Sequence, residues 1–229
     1  MKYTTLLFDA DETLLDFKRA EREAITATLF HFGIVCSEEI ISSYSEINDS
    51  LWKQLELGLT TKEKLKTERF ERLCLRYGFD ILATDMASRY INELSKQAYT
   101  IEGAEKLCSM LYEKGFKMYI ITNGIKSVQT SRMSRSSIGE YFIRSFISED
   151  VGYEKPNREF FESVKKEIED FDIEKTLVIG DSLSSDIKGG INAGIDTCWY
   201  NPSRKSRPDG MNITYEVSSL EDILKILEV

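Results

Sequence analysis

The chain has 229 residues, of which 41% are hydrophobic and 30% are charged, a composition typical of a folded globular protein rather than a disordered one. Its formal net charge of −9 argues against binding to the phosphate backbone of DNA or RNA, which requires clustered basic residues. No apolar run reaches the length of a membrane span, and the amino-terminal residues do not resemble a signal peptide. We therefore expect a cytoplasmic protein with no membrane partner.

The cysteines and the single histidine exclude two common kinds of site. No two cysteines form a Cys-x-x-Cys pair, and His31 is the only histidine. The usual Cys/His zinc sites and a His-based hydrolytic triad are therefore excluded. We expect the cysteines to be buried thiols in a reducing compartment: Cys36, Cys74, Cys108 and Cys198.

The first predicted strand, Thr4–Phe8, ends in two carboxylates, Asp9 and Asp11. Alternation along a strand would put both on one face, where they repel each other unless a cation or a phosphoryl group compensates them. The carboxyl edge of an open α/β sheet is also where ligands bind. A ligand site and a simple Asp-rich turn after an edge strand both remain open from this segment alone.

Residues 16–98 contain no convincing strand and predict four helices. One apolar stripe consists of Phe70, Leu73, Cys74 and Tyr77. A Thr60/Glu63 capping box would begin that helix. An insertion directly after the first strand would hang over the carboxyl edge of the sheet, where a lid would sit.

The rest of the chain alternates strands with helices. Predicted strands lie at Lys117–Thr122, Thr176–Gly180 and Asp196–Tyr200, with a weaker one near Phe146–Ser148. Pro156 is placed to begin one helix, and a Ser218/Glu221 capping box another. Continuous apolar strands between helices predict an α/β, doubly wound, Rossmann-like parallel sheet. We expect a core of residues 1–15 and 99–229, with 16–98 as an inserted α-helical domain.

Two further strand ends carry polar residues that suit a phosphate group. Thr122, Asn123 and Gly124 offer a hydroxyl and backbone N–H groups. Lys155 precedes the helix-starting Pro156 and could neutralise charge. The alternatives are a Thr that caps the next helix and an ordinary surface lysine.

A second acidic strand end follows at Asp181, and Asp186 lies five residues later. Asp186 could simply favour the dipole at the start of the next helix. Together with Asp9 and Asp11, however, these residues form an oxygen-rich cluster suited to Mg²⁺.

Taken in order, the strings DADET, ITNG, GYEKP and GDSLSSD resemble the four signatures of the haloacid dehalogenase superfamily, whose members are mostly Mg²⁺-dependent phosphatases. The helical insertion resembles that superfamily's type-1 cap. The longer strings FDADETLLDF, VGYEKPN and SDIKGGINAGIDTCWYN, followed by RPDG, resemble the noncanonical pyrimidine nucleotidase subgroup, which are 5′-nucleotidases acting on nucleoside monophosphates.

The resemblance implies a role for each acidic residue. Asp9 would be the nucleophile that forms an aspartyl-phosphate, and Asp11 the general acid and then the general base. Mg²⁺ would be held by Asp9, the Asp11 carbonyl oxygen and Asp181. Asp186 would act through metal-bound water or by orienting Lys155.

The resemblance also implies roles for the remaining residues. Thr122 and the Asn123 backbone N–H would hold phosphoryl oxygens, while Lys155 neutralises their charge. Thr13 would brace the turn after Asp11. Glu12 departs from the commonest form of the first signature, which often has glycine there.

The expected substrate is a small phosphate ester, most specifically a nucleoside monophosphate. A phosphatase or phosphomutase acting on sugar phosphates is the nearest alternative, and a catalytically idle phospho-ligand binding module is a remote one. Phe17, Trp52 and Arg69 are candidates for substrate recognition, but packing or a solvated helix face is the favoured interpretation of each. The oligomeric state stays open.

Overall fold

The structure, a computed structural model, describes residues 2–229. The chain forms two compact units: a helical unit, Phe17–Ala98, and an α/β unit made of the residues up to Asp16 together with Tyr99–Val229.

The α/β unit contains a six-stranded sheet with the order β3-β2-β1-β4-β5-β6, and every pair of neighbouring strands is parallel. The predicted doubly wound parallel sheet is thereby confirmed. The strands are β1 Thr5–Phe8, β2 Lys117–Thr122, β3 Arg144–Ile147, β4 Thr176–Gly180, β5 Asp196–Tyr200 and β6 Tyr215–Val217. The sequence did not predict β6, a three-residue edge strand that is too short to show a periodic pattern.

The pairing register brings three strand ends to one place. Phe8, the last residue of β1, lies opposite Ile120 of β2 and Ile179 of β4. The residues that follow these strands therefore emerge together at the carboxyl edge of the sheet.

Apolar side chains cover both faces of the sheet, since Leu6 and Phe8 belong to one core cluster and Leu7 to another. This alternation is the two-residue period of a strand whose two faces are both buried.

The helices of this unit are α5 Ala104–Glu113, α6 Lys126–Arg135, α7 Ser148–Val151, α8 Arg158–Glu167, α9 Lys188–Ala193 and α10 Glu221–Ile226.

The helical unit consists of α1 Phe17–His31, α2 Glu38–Glu56, α3 Lys62–Tyr77 and α4 Ala83–Leu94. Its interior holds three aromatic rings, those of Tyr44, Phe70 and Tyr90, with centroids 5.1 to 5.6 Å apart. The four predicted helices are therefore present, packed around an aromatic centre.

At both predicted capping boxes the hydroxyl that caps lies one residue later than predicted. Thr61, not Thr60, accepts a hydrogen bond from the backbone N–H of Lys64 at the start of α3. Ser219, not Ser218, accepts from the backbone N–H of Asp222 near the start of α10. In each case two hydroxyl residues are adjacent, and backbone geometry decides which of them caps.

Two of the four cysteines are less buried than expected: Cys108 and Cys198 are buried, whereas Cys36 and Cys74 are half-buried. Within residues 2–229, no helix is both long enough and apolar enough to cross a membrane.

Candidate active site

A buried lysine connects two carboxylates at the carboxyl edge of the sheet. The Nζ of Lys155 lies 2.7 Å from Oδ1 of Asp9 and 2.6 Å from Oδ1 of Asp186, and it also donates to the carbonyl oxygen of Ile121 at 2.8 Å. The Lys155 side chain is 1% exposed. It is therefore fixed in direction by three acceptors, and the surface-lysine interpretation is wrong.

Asp181 follows β4 and lies beside Asp9. The Oγ1 of Thr13 is 3.4 Å from Oδ2 of Asp9 and 3.5 Å from Oδ1 of Asp181, and it accepts from the backbone N–H of Asp181 at 3.1 Å. The indole N–H of Trp199 donates to the Asp181 carbonyl oxygen at 2.9 Å. The end of β4 is thus held from two sides.

Burial and mutual repulsion shape the titration of these acids. Burial raises the pKa of Asp9, and the Asp186 and Asp181 charges raise it further against the opposing effect of Lys155. Burial also raises the pKa of Asp181 to about 7, with contributions from Asp186 and Glu12. Burial alone lowers the pKa of Lys155, but the carboxylates of Asp186 and Asp9 outweigh it and raise that pKa.

The same residues fit a divalent cation. Carboxylate oxygens of Asp9, Asp181 and Asp186 all lie within 4.8 Å of one another. One ammonium, that of Lys155, pairs with two of these acids, so two negative charges stay uncompensated when all three are ionised. Hard oxygen donors with a charge deficit of this size match Mg²⁺.

The Asp11 carboxylate faces a different set of partners. Its Oδ2 accepts from Nε2 of Gln129 at 2.6 Å, and its Oδ1 forms an ion pair with the guanidinium of Arg132. Both partners come from α6 and both are buried. Asp11 is consequently absent from the group formed by Asp9, Asp181 and Asp186.

The turn after β2 is held by hydrogen bonds from two directions. The Oγ1 of Thr122 accepts from the backbone N–H of Gly124 at 3.0 Å and from Nε2 of Gln129 at 3.0 Å. The Asn123 side chain exchanges two bonds with the Lys155 backbone, both 2.8 Å long. Asn123 thereby fixes the segment that delivers the lysine.

Sequence interpretation missed Gln129 and Arg132. The sequence feature that could have identified them is their spacing: a Gln and an Arg three residues apart in the helix after Thr122 lie on one helix face. A solvated helix face explains such a pair equally well, and burial is what separates the two interpretations.

Arg69 lies inside the helical unit and is 1% exposed, so a solvated helix face is the wrong interpretation of it. Its guanidinium is 4.5 Å from the centroid of the Tyr90 ring and donates to Oδ1 of Asn48 at 3.1 Å. Within this unit, Arg69 is part of the buried core.

Comparison with known proteins identifies the family. A family model described as haloacid dehalogenase-like hydrolase matches residues 6–200. The pyrimidine 5′-nucleotidase PynA of Streptococcus pneumoniae is 42% identical over 228 residues, covering 100% of this chain and 96% of that protein. The pyrimidine 5′-nucleotidase YjjG of Escherichia coli is 32% identical and covers 99% of each chain.

A solved structure of similar length supports the same family. The HAD-hydrolase YfnB of Bacillus subtilis, in a crystal structure bound to magnesium, superposes with a TM-score of 0.94 at 38% identity over 100% of both chains. The resemblance inferred from the sequence is confirmed.

Proposed function

Because the chain belongs to the haloacid dehalogenase-like hydrolases, we propose that it is a Mg²⁺-dependent phosphomonoester hydrolase, most specifically a 5′-nucleotidase on pyrimidine nucleoside monophosphates. Its 42% and 32% identity to two pyrimidine 5′-nucleotidases supports the nucleotide substrate.

One observation carries the hydrolase proposal: two acids lie at the carboxyl edge of the sheet and have different partners. Asp9 is buried and paired with Lys155 at 2.7 Å, whereas Asp11 is held by Gln129 and Arg132. Two acids at one sheet edge that have separate partners can take separate roles, one as the nucleophile and the other as the proton donor. A module that only binds phosphate has no need of the second acid, so the pair favours an enzyme.

The proposed first step is in-line attack of an Asp9 carboxylate oxygen on phosphorus, which breaks the ester bond and leaves an aspartyl-phosphate. Asp11 donates a proton to the departing oxygen of the nucleoside. In the second step a water attacks the same phosphorus and gives its proton to Asp11, which regenerates Asp9 and releases inorganic phosphate.

Two other residues stabilise charge during both steps, and two more position the groups that react. Lys155, fixed by Asp9 and Asp186, compensates the negative charge on the phosphoryl oxygens. Thr122 donates its hydroxyl proton to one of those oxygens. Asp186 orients Lys155, and Thr13 braces the turn between Asp9 and Asp181.

We propose that Asp9, Asp181 and the carbonyl oxygen of Asp11 hold Mg²⁺. Bound there, Mg²⁺ would supply positive charge that allows an anionic substrate to approach buried carboxylates.

The test is phosphate release from a panel of nucleoside monophosphates and sugar phosphates, with Mg²⁺ or with EDTA. Asp9→Asn is the blank, because it keeps the shape of the side chain and removes its nucleophilic charge. Asp172→Asn is the matched control, because Asp172 is a half-buried acid near the start of β4 whose side-chain ion pair is with Lys175. We expect metal-dependent release that favours pyrimidine nucleoside monophosphates, is lost in Asp9→Asn and persists in Asp172→Asn.

Other outcomes would redirect the assignment. Faster release from sugar phosphates would retain the phosphatase and refute the nucleotide substrate. Isomerised sugar phosphate without phosphate release would identify a phosphomutase. Absence of turnover with every ester would favour a binding module.

A further inference from the structure

We infer that Gln129 and Arg132 are positioning residues for the reaction proposed above: together they hold the Asp11 carboxylate, and Gln129 directs the Thr122 hydroxyl proton toward the substrate. This inference rests on the proposed function and assigns a task to two buried residues of α6.

The first support is the geometry at Asp11. Each carboxylate oxygen has its own donor, Gln129 Nε2 on Oδ2 at 2.6 Å and the Arg132 guanidinium on Oδ1. A carboxylate with a donor on each oxygen cannot rotate about its last bond without losing one of them. Asp11 is therefore held in one orientation by α6.

The second support is burial. The Arg132 side chain is 0% exposed, whereas that of Asp11 is 28% exposed. A buried guanidinium is costly unless it is paired, and the Asp11 carboxylate is the charged partner that Arg132 has at the sheet edge. The exposed side of Asp11 stays accessible to a leaving group.

The third support is the orientation of the Gln129 side-chain amide. The Oε1 of Gln129 accepts from Arg132 at 3.3 Å, while Nε2 faces Asp11 and Thr122. The opposite orientation of the amide would set its oxygen against a carboxylate. The amide therefore has one favourable orientation, with its donor toward the proposed reaction centre.

A consequence follows for Thr122. A hydroxyl has two acceptor positions and one proton, and the Thr122 oxygen already accepts from Gly124 and from Gln129, each at 3.0 Å. Its proton is the part that remains for a further partner. Gln129 thus makes Thr122 a donor, which is what an anionic phosphoryl oxygen requires.

Gly124 leaves room for the Gln129 side chain. A Cβ at position 124 would lie 2.4 Å from Nε2 of Gln129 and 2.6 Å from its Cγ. A side chain there would push the amide away from Asp11 and Thr122. The absence of a side chain at position 124 is required by the position of Gln129.

The experiment compares two substrates that differ in their need for a general acid. A nucleoside monophosphate releases a poor alkoxide leaving group and needs the proton from Asp11, whereas p-nitrophenyl phosphate releases a stable phenolate and needs it little. The measured quantity is the ratio of kcat/KM for the nucleotide to kcat/KM for p-nitrophenyl phosphate, in Arg132→Met, Arg132→Lys and Gln129→Met.

We expect the ratio to fall about tenfold or more in Arg132→Met and to recover in part in Arg132→Lys. Gln129→Met should lower the ratio and also lower kcat for p-nitrophenyl phosphate, because Thr122 loses its orientation. Arg135→Met, which removes an exposed charge from the same helix, should change neither. In an Asp11→Asn background, Arg132→Met should have no further effect on the ratio.

Equal losses for both substrates in Arg132→Met, or no loss for either, would overturn the inference. If Gln129→Met does not fold, Gly124→Ala displaces the same amide with Gln129 intact and should give the same pattern. The proposed function is judged separately: it fails if the unmodified protein releases no phosphate from nucleotides or if Asp9→Asn retains activity.

Discussion

Lys155 and Asp186 form an ion pair in the interior of the α/β unit, with Nζ 2.6 Å from Oδ1 and each side chain 1% exposed. Asp186 also accepts from the backbone N–H of Ser182 at 3.1 Å. The acid is therefore anchored to its own loop and holds the lysine in reach of Asp9. This chain of contacts connects the start of a π-helical turn, Leu183–Ile187, to the proposed nucleophile.

Lys155→Met should lower both activity and stability. Removing one partner of a buried ion pair leaves uncompensated charge and costs about 3 kcal/mol or more, and here two carboxylates lose the same ammonium. Urea unfolding without Mg²⁺ measures the loss. Lys106→Met is the control, because Lys106 pairs with Glu221 and both side chains are exposed, and such pairs contribute about 1 kcal/mol or less. Equal losses in the two variants would contradict the structural role of the buried pair.

Metal-free stability should fall as pH rises from about 4 to about 7. Burial, with the charges of Asp186 and Glu12, raises the pKa of Asp181 to about 7, whereas an unfolded Asp titrates near pH 4. In that interval the folded state binds more protons than the unfolded state, so the free energy of unfolding decreases with pH.

Mg²⁺ should reverse this trend, because metal ligands must be deprotonated and binding therefore strengthens with pH. Thermal unfolding with Mg²⁺ and with EDTA, across the same pH range, measures both effects. Asp181→Asn should flatten the metal-free dependence and reduce the Mg²⁺-induced rise in Tm. An unchanged Mg²⁺ response in that variant would exclude Asp181 as a ligand.

Glu12→Gly should stabilise the protein by up to about 1 kcal/mol. Glu12 has φ of +59°, a left-handed conformation that costs a residue with a Cβ but not glycine. Its carboxylate also contributes to the raised pKa of Asp181. Glu12→Gln removes the charge and keeps the conformation, so comparing the two variants in urea unfolding separates the contributions. A Glu12→Gly variant less stable than Glu12→Gln would refute the backbone explanation.

Gly180→Ala should reduce kcat/KM by at least about tenfold. A Cβ at position 180 would lie 2.3 Å from Oδ2 of Asp186, so the carboxylate must shift, which disturbs the contact of its Oδ1 with Lys155. Gly190→Ala is the matched control, since its Cβ would lie 2.5 Å from Cγ2 of Thr197 in the core. That variant should lose stability and retain activity per folded molecule. Steady-state kinetics and unfolding curves on both proteins decide between the two effects.

The sequence by itself determined the family, the parallel sheet and the residues that end its strands. Asp9, Thr122 and Asp181 could be identified because each follows a continuous apolar run, and the carboxyl ends of parallel strands share one edge. The helical segment could be identified because its apolar residues repeat with helical spacing. These are local signals, carried by a few consecutive residues each.

Tertiary structure decided which partners these residues have. Lys155 lies 146 residues from Asp9, and Arg132 lies 121 residues from Asp11. The string before Pro156 indicated Lys155 but not its partners, and no local pattern distinguishes Arg132 from a solvated arginine. Because an unpaired charge in the protein interior is costly, each of these buried cationic side chains pairs with a carboxylate. The short strand β6 and the exact capping hydroxyls were likewise settled by packing and backbone geometry.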